Sequence, residues 1–181
     1  EKREGLLFVG GFAHPPNADA VLWFAREIYP KIREKLEVPF YIVGSKVTEE
    51  IQALEQPGNG IIVKGFVSEE ELSELYRTCR IVVVPLRYGA GVKGKVIEAL
   101  YNGAPVVTTS IGAEGIAEAE SVMYIKDAPE EFAEETVRLY QNPEALRELS
   151  RKTQNYIRRY YSVDAAWSVV EEDFTKETVK R

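Results

Sequence analysis

Six short apolar runs recur along the chain, and segments with helical character separate them. We predict that these runs are strands, at residues 6–9, 40–43, 61–64, 81–84, 105–108 and 122–125. Runs of this length suit buried strands and are too short for buried helices. Strands that alternate with helices favour a parallel sheet with right-handed crossovers. The sequence therefore predicts an α/β fold: a doubly wound, Rossmann-like parallel sheet of about six strands, followed by C-terminal helices.

The segments between the apolar runs carry helix signals. From residue 18 to about residue 36, apolar side chains recur at helical spacing, and Asn17 is predicted to cap this helix. Ser68 and Glu71 form a capping box for a helix that is predicted to end at Thr78. Further helices are predicted over residues 48–54 and 94–101, and from residue 129 onward with breaks near Asn142 and Ser162.

The size of the chain is typical of one domain. A chain of 181 residues can bury roughly 70% of its unfolded surface, so it needs no disulfide or metal staple. We expect a single domain over residues 1–181, with a sheet core over about 5–127 and a helical segment over about 128–181. The chain opens with Glu1-Lys2-Arg3-Glu4 and no methionine, and we interpret it as a piece of a longer protein.

The composition argues against several functions. A net charge of −6 is not that of a general nucleic-acid binder. The single cysteine, Cys79, leaves no disulfide to form within the chain and suits a reducing compartment, so we expect a cytoplasmic protein. No two aspartates form an Asp-x-Asp motif, and one histidine with one cysteine cannot make a zinc cluster of the usual spacing. A metal site is therefore not implied, and no apolar run is long enough to span a bilayer.

The stretch from Pro85 to Leu100 carries the strongest functional signal. It follows the fourth predicted strand and holds three glycines and three cations, namely Gly89, Gly91, Gly94, Arg87, Lys93 and Lys95. Glycines let a ligand approach the backbone, and a helix N-terminus offers unpaired N–H groups and a positive dipole end. This combination fits a diphosphate. Glu98 lies one helical turn further on and could accept hydrogen bonds from ribose hydroxyls.

A second glycine turn, Gly10-Gly11, follows the first predicted strand. In the commonest doubly wound order, 3-2-1-4-5-6, strands one and four are neighbours at the point where ligands bind. That order would bring Gly10-Gly11 beside the loop at residues 89–94, although the two lie far apart in sequence. The agreement predicts a nucleotide site. His14, next to the first turn, could contact a phosphate or a sugar, or serve only as a loop residue.

Structural roles are open for several of these residues. Lys95 could be a solvated helix residue, and Glu98 could pair with Lys95 on the helix surface or contact Asn102. Cys79 precedes a buried strand and is expected in the core. Glu114 lies in the loop after the fifth strand, where a contact with a donor sugar is a weak alternative to a solvent-exposed role.

These residues resemble the C-terminal, donor-binding half of a GT-B fold glycosyltransferase, close to the retaining family-4 group. The resemblance runs from about residue 6 to residue 125, and its landmarks are Gly10-Gly11, Val43-Gly44, Gly65-Phe66-Val67, Val84-Pro85-Leu86, the loop Gly89-Ala90-Gly91-Val92-Lys93-Gly94-Lys95, Glu98-Ala99, Gly103-Ala104-Pro105-Val106-Val107 and Gly112-Ala113-Glu114-Gly115. It implies an enzyme of polysaccharide or glycoconjugate biosynthesis that moves a sugar from a nucleotide-diphosphate donor to an acceptor held by an N-terminal half.

The resemblance also implies roles for individual residues. Glu98 would match the second glutamate of a two-glutamate motif and bind the ribose, whereas Ala90 stands where the first glutamate belongs. Many relatives carry an arginine and a lysine after strand one, where this chain has Gly11 and Asn17. Phe66 and Val67 would lie against the nucleobase, with a backbone hydrogen bond at Val67 and with Lys46 near the base edge.

We therefore predict a complete set of site residues. Arg87 and Lys93 are predicted to be catalytic, because they would stabilise the charge of the leaving diphosphate. The predicted donor-binding residues are Gly10, Gly11, His14, Lys46, Phe66, Val67, Gly89, Ala90, Gly91, Val92, Lys95 and Glu98. The donor is expected to be a UDP-, GDP-, ADP- or dTDP-sugar, and no cofactor, metal or nucleic acid is expected.

Further expectations concern the whole protein. By resemblance, an N-terminal acceptor domain is missing, and the helix expected after Ser162 would pack toward it. We expect the isolated domain to bind donor weakly and to transfer nothing, and association of the parent protein with a membrane surface stays open. Two rival functions share the fold: a GT-B sugar-nucleotide epimerase and a non-catalytic scaffold. A nicotinamide-dependent oxidoreductase is disfavoured because Gly10-Gly11-Phe12 and Gly44-Ser45-Lys46 lack its glycine pattern and its acidic residue.

Overall fold

A computed structural model describes residues 2–161 and contains a six-stranded sheet whose paired strands are all parallel. The strands are β1 (Leu6–Val9), β2 (Phe40–Val43), β3 (Ile61–Gly65), β4 (Ile81–Val84), β5 (Val106–Thr108) and β6 (Tyr124–Ile125). Their order, β3-β2-β1-β4-β5-β6, confirms the predicted doubly wound fold. Part of the expected C-terminal segment, including the helix expected after Ser162, lies outside the described residues.

Helices fill the connections between the strands. They are α1 (Pro15–Trp23), α2 (Tyr29–Arg33), α3 (Glu49–Gln52), α4 (Glu69–Thr78), α5 (Gly94–Tyr101), α6 (Pro129–Tyr140) and α7 (Pro143–Tyr160). A π-helical turn, Phe24–Ile28, joins α1 to α2, and a short 3-10 turn covers Ala119–Ser121. Within the part of the chain that the structure describes, none of these helices is long and apolar enough to cross a membrane.

The first helix begins earlier than the sequence predicts. The prediction that Asn17 caps it is wrong, because the helix starts at Pro15 and His14 occupies the N-cap position. Proline suits the first helical position, since its fixed φ is helical and the N–H that it lacks would have no partner there. Asn17 consequently lies inside the first turn with only 5% of its surface exposed. Its side chain does not cap the helix and can form hydrogen bonds with neighbouring segments.

The sheet is covered on both faces, as the continuous apolar strands predict. All four residues of β4 are buried, and the preceding Cys79 is buried as expected. On one face, the ring of Phe24 packs 4.7 Å from that of Phe40 in β2 and 5.8 Å from that of Phe132 in α6. These contacts join the first and sixth helical segments to the sheet.

The carboxyl ends of the neighbouring central strands β1 and β4 mark the part of the sheet where the predicted site lies. They pair in parallel, with Leu6 opposite Ile81 and Leu7 opposite Val82. The chain leaving β1 forms α1 and the chain leaving β4 forms α5, so both connecting loops lie at the carboxyl ends of the strands. Crevices for ligands form at such a point in open α/β sheets.

Candidate functional site

The glycine turn after β1 packs directly against the end of β2. The Gly10 N–H donates to the Val43 carbonyl at 2.9 Å. A Cβ atom on Gly44 would lie 1.7 Å from the Gly10 carbonyl oxygen, and one on Gly10 would lie 2.9 Å from the Asn17 amide group. Because the atom in the way at Gly44 is a backbone oxygen, glycine is required there, whereas a side chain on Gly10 would have to displace the Asn17 amide.

Asn17 connects this turn to helix α5. Its Nδ2 donates to the Gly11 carbonyl at 2.8 Å, and its Oδ1 accepts from the Lys95 ammonium at 2.6 Å. The two glycine-rich turns that the sequence predicts to be neighbours are thus joined through one buried amide. Sequence reasoning missed this role; the signal for it was a polar side chain in the first turn of a helix that starts at a proline.

Lys95 is a partly buried cation without a carboxylate partner. Within residues 2–161 no Asp or Glu oxygen lies within 4.0 Å of its ammonium nitrogen. Burial, and after it the charge of nearby Lys93, lower the pKa of Lys95 below its ordinary value. An anion bound here would relieve both effects. The alternative that Lys95 pairs with Glu98 is not what the structure shows.

Lys93 closes the loop between β4 and α5, which we call the cationic loop (residues 85–94). It occupies the N-cap position of α5, and its ammonium donates to the carbonyls of Gly91 at 2.5 Å and Gly89 at 3.2 Å. These two glycines have φ angles of +80° and +118°, a region that other residues enter only with strain. Two carbonyls of the loop thus bind the Lys93 ammonium at the start of the helix.

Arg87 has a structural partner on helix α1. Its guanidinium forms two parallel hydrogen bonds to the Asp19 carboxylate, at 2.5 and 2.9 Å, and lies 5.3 Å from the centre of the Trp23 ring. The hydrogen bonds to Asp19 raise the pKa of Arg87. The contact with phosphate that the sequence predicts for Arg87 stays a prediction, and it would require this carboxylate to be shared or released.

Glu98 lies exposed on α5, where a side chain of α4 orients it. Its Oε2 accepts from the hydroxyl of buried Tyr76 at 3.2 Å. Burial, and then the charge of Glu98, raise the pKa of Tyr76, so the phenol remains a donor. The contact with Asn102, one of the alternatives from sequence, involves the backbone of Glu98: the Asn102 side-chain amide donates to the Glu98 carbonyl at 2.9 Å. The carboxylate is therefore held in place and still reachable from solvent.

The residues predicted to meet the nucleobase lie at the neighbouring strand ends. The Gly44 N–H donates to the Gly65 carbonyl at 2.9 Å, which brings the loops after β2 and β3 together. Phe66 follows β3 with 82% of its surface exposed, Val67 is half-buried, and Lys46 is exposed after β2 with a φ angle of +60°. An apolar ring this exposed is a surface that a flat ligand could cover.

The cationic loop also contacts the segment that follows β5. Glu114 Oε1 accepts from the Gly91 N–H at 2.9 Å, so a carboxylate occupies one donor of the glycine loop. A Cβ atom on Gly115 would lie 2.6 Å from the Val92 side chain, which shows how closely the two segments approach. Ala90 is exposed and adds no charge.

The structure brings some of the predicted residues together and leaves others apart. Gly10, Gly11 and Lys95 are linked through Asn17, and Lys93 binds Gly89 and Gly91. Arg87 is tied to α1, and His14 lies exposed at the start of that helix. Among the described residues, no group of three or more His, Cys, Asp or Glu side chains could hold a metal ion. The arrangement offers the N-terminus of α5 and the two ammonium groups of Lys93 and Lys95 to an anion.

A known protein family matches the part of the chain that contains these residues. A family model described as "Glycosyl transferases group 1" matches residues 3–142. This range holds all six strands and every predicted site residue. Among curated proteins, an "Uncharacterized 44.6 kDa protein in cps region" of Klebsiella pneumoniae is 28% identical over 173 residues. The match covers 91% of this chain and 44% of that protein, so the chain spans less than half of the relative.

Solved structures share the fold at low identity. A mutant of TarM from S. aureus, in complex with Fondaparinux, alpha-GlcNAc-glycerol and UDP, matches with a TM-score of 0.77 and 19% identity. That match covers 97% of this chain and 36% of TarM. The C-terminal domain of a glycosyl transferase group 1 family protein (LpcC) from Francisella tularensis matches with a TM-score of 0.70 and 16% identity. There the match covers 90% of this chain and 88% of the other.

Proposed function

The chain belongs to the glycosyl transferases group 1 family, and from this premise we propose that it is the donor-binding half of a retaining, family 4-like GT-B glycosyltransferase. One observation carries the proposal: Lys93 and Lys95 lie at the start of α5, beside the glycine turn of β1, and no carboxylate of the described part of the chain pairs with either ammonium. Two cations and a helix N-terminus form a place for the diphosphate of a nucleotide sugar.

In this proposal, the site promotes sugar transfer by stabilising the negative charge of the leaving diphosphate. When the bond between sugar and diphosphate breaks, negative charge grows on the leaving phosphate oxygens, and donors already in place stabilise it. Lys95 is held by Asn17 at one side of the site, and Lys93 can exchange its loop carbonyls for phosphate oxygens. Because these ammonium groups supply the neutralising charge, we expect donor binding without a divalent metal or other cofactor.

The remaining contacts would fix the nucleoside. Glu98, oriented by Tyr76, would accept hydrogen bonds from the ribose hydroxyls. The base would cover the exposed ring of Phe66, with the backbone of Val67 at its edge. UDP is the first candidate among the four nucleotides, because the similar TarM structure contains UDP.

The acceptor belongs to the other half of the protein in this proposal. The chain spans 44% of its Klebsiella relative and 36% of TarM, so a second domain would be needed to complete the active site. We expect the domain alone to bind donor and to leave an added acceptor unmodified. Transfer of sugar by this chain alone would contradict that assignment.

A calorimetric titration of the chain with UDP, GDP, ADP and dTDP, without metal, tests the donor site. One nucleotide is expected to bind saturably, and Lys93→Ala and Glu98→Ala should each weaken its binding by about ten- to hundredfold, as expected for a hydrogen bond to a charged group. Glu144→Ala, a change at an exposed glutamate of α7, should leave binding unchanged. Absence of binding to all four nucleotides would favour a scaffold, and release of free nucleotide with an epimerised sugar would favour an epimerase.

A further inference from the structure

A second cluster of cations lies at the opposite edge of the sheet. It lines a cavity of about 600 Å³, which we call the amino-end cavity. Its charged residues are Lys2 and Arg3, just before β1, Arg80, just before β4, and Arg147 in α7. The β1 and β4 strands are four residues long, so about 13 Å of sheet separates this cavity from the glycine turns at their other ends.

The charge of this cavity is unbalanced. None of the described residues that line it is acidic, although the chain carries a net charge of −6. Within residues 2–161, none of the four cations has a carboxylate within 4.0 Å. Nearby on the same helix, Arg151 and Lys152 both pair with Glu148. Cations gathered without counter-ions in an acidic protein indicate a place for an anionic ligand.

Arg80 is the fixed member of the cluster. Its guanidinium lies 4.9 Å from the centre of the Tyr140 ring, and Nη1 donates to the Arg3 carbonyl at 3.4 Å. Its Nε is buried and has no hydrogen-bond partner among residues 2–161. A buried donor without a partner is costly, and the positive charge that it shares is not neutralised by any described carboxylate. Arg80 is therefore a fixed positive charge in the wall of the cavity.

The rest of the wall is mostly apolar. It consists of Pro105, Pro143 and Leu146, together with Ser150, whose hydroxyl already donates to the Gly103 carbonyl. Pro143 is the first residue of the 18-residue helix α7. The start of so long a helix adds a positive dipole end to the four cations. A small inorganic anion would use the charges and leave this apolar wall uncovered.

We propose that the amino-end cavity is a second ligand site, distinct from the donor site, that binds a phosphate group carried on an apolar body. Two sources share this chemistry: a soluble organic phosphate and the headgroup of a phospholipid. The four cations neutralise the phosphate, and the proline and leucine side chains cover the apolar part.

Two probes test the site on the chain already saturated with UDP. Monomeric dihexanoyl phosphatidic acid is titrated by calorimetry, and vesicles of phosphatidylcholine with phosphatidic acid are tested by co-sedimentation. The double variant Lys2→Glu/Arg147→Glu reverses two exposed charges of the cavity. Arg158→Glu, at an exposed position of α7 outside the cavity, is the matched control.

The soluble probe is expected to bind saturably, and the double variant should weaken it by about tenfold or more, as for the loss of charge-assisted hydrogen bonds. Arg158→Glu and saturation with UDP should change nothing. Vesicle binding that is lost in the double variant would identify the headgroup as the source, and binding of the monomer alone would identify a soluble phosphate.

Three results would overturn the proposal: no saturable binding of either probe, equal weakening by Arg158→Glu, or competition between the probe and UDP. Inorganic phosphate that binds as tightly as the lipid monomer would overturn the role of the apolar wall. The UDP affinity of the double variant is measured in parallel. A failed phosphatidic acid test with normal UDP binding then rejects the amino-end cavity alone, whereas absence of UDP binding rejects the donor site. Circular dichroism melting of both variants checks that the fold is retained.

Discussion

Lys95 is the residue on which function and stability make opposite demands. It is partly buried, its pKa is lowered by burial, and its hydrogen bond goes to the neutral side chain of Asn17. A charge in such a place costs free energy of folding unless an anion is bound. Residues kept at this cost are commonly the ones that a ligand needs.

Replacing Lys95 by methionine should therefore separate the two properties. Lys95→Met keeps the length of the side chain and removes the charge, so we expect the free energy of unfolding to rise by about 0.5–2 kcal/mol without ligand. The affinity for the nucleoside diphosphate should fall by about tenfold or more. Urea unfolding and calorimetric titration measure the two effects.

Lys35→Met is the control for that variant, because Lys35 is exposed and has no ion pair among the described residues. It should change neither quantity. A Lys95→Met variant that loses stability but keeps its affinity would show that Lys95 supports the fold and not the ligand.

At the scale of elements, the site depends on strand ends that touch. The carboxyl ends of β1 and β2 lie so close together that the Gly10 carbonyl leaves no space for a side chain at position 44. This contact sets the position of the β1 turn, and Asn17 then joins that turn to α5. The geometry of the anion site thus derives from the packing of secondary structure and from one buried amide.

Gly44→Ala should disturb the fold and the site together. The added Cβ atom would lie 1.7 Å from the Gly10 carbonyl oxygen, so the backbone must move. We expect the free energy of unfolding to fall by at least about 2 kcal/mol, as for overpacked positions. Thermal or urea unfolding measures this change.

Gly94→Ala is the matched substitution, because a Cβ atom there meets no atom within 4 Å and the position opens a helix. Its unfolding free energy should stay within about 1 kcal/mol of the parent chain or rise slightly. Similar losses for both variants would mean that the close contact at Gly44 does not govern stability.

At the scale of the molecule, general rules of topology made the fold and the meeting of the two glycine turns predictable. Short apolar runs that alternate with helices lead to one common strand order, and that order places the ends of β1 and β4 side by side. The partners of individual side chains were not predictable in this way. Asn17 looked like a helix cap, yet Pro15 starts the helix and leaves Asn17 to meet Lys95, 78 residues away.

Glu98 illustrates the same limit. From sequence, Lys95 was one possible partner for Glu98, because residues three apart share a face of a helix. In the structure Lys95 points to Asn17, and Glu98 receives its hydrogen bond from Tyr76, which lies 22 residues earlier in α4. The packing of α4 beside α5 decides this, and no local pattern records it. The cations of the amino-end cavity come together from three distant segments for the same reason.

The most direct test of the account is to map the bound diphosphate onto the chain by amide NMR. UDP is added to the ¹⁵N-labelled protein, and the account predicts saturable shifts at Gly10, Gly11, Gly94 and Lys95. The amides of Arg80 and Arg147, in the amino-end cavity, should not follow the same titration curve. Shifts confined to that cavity, or spread over the surface without saturation, would contradict a donor site between the two glycine turns.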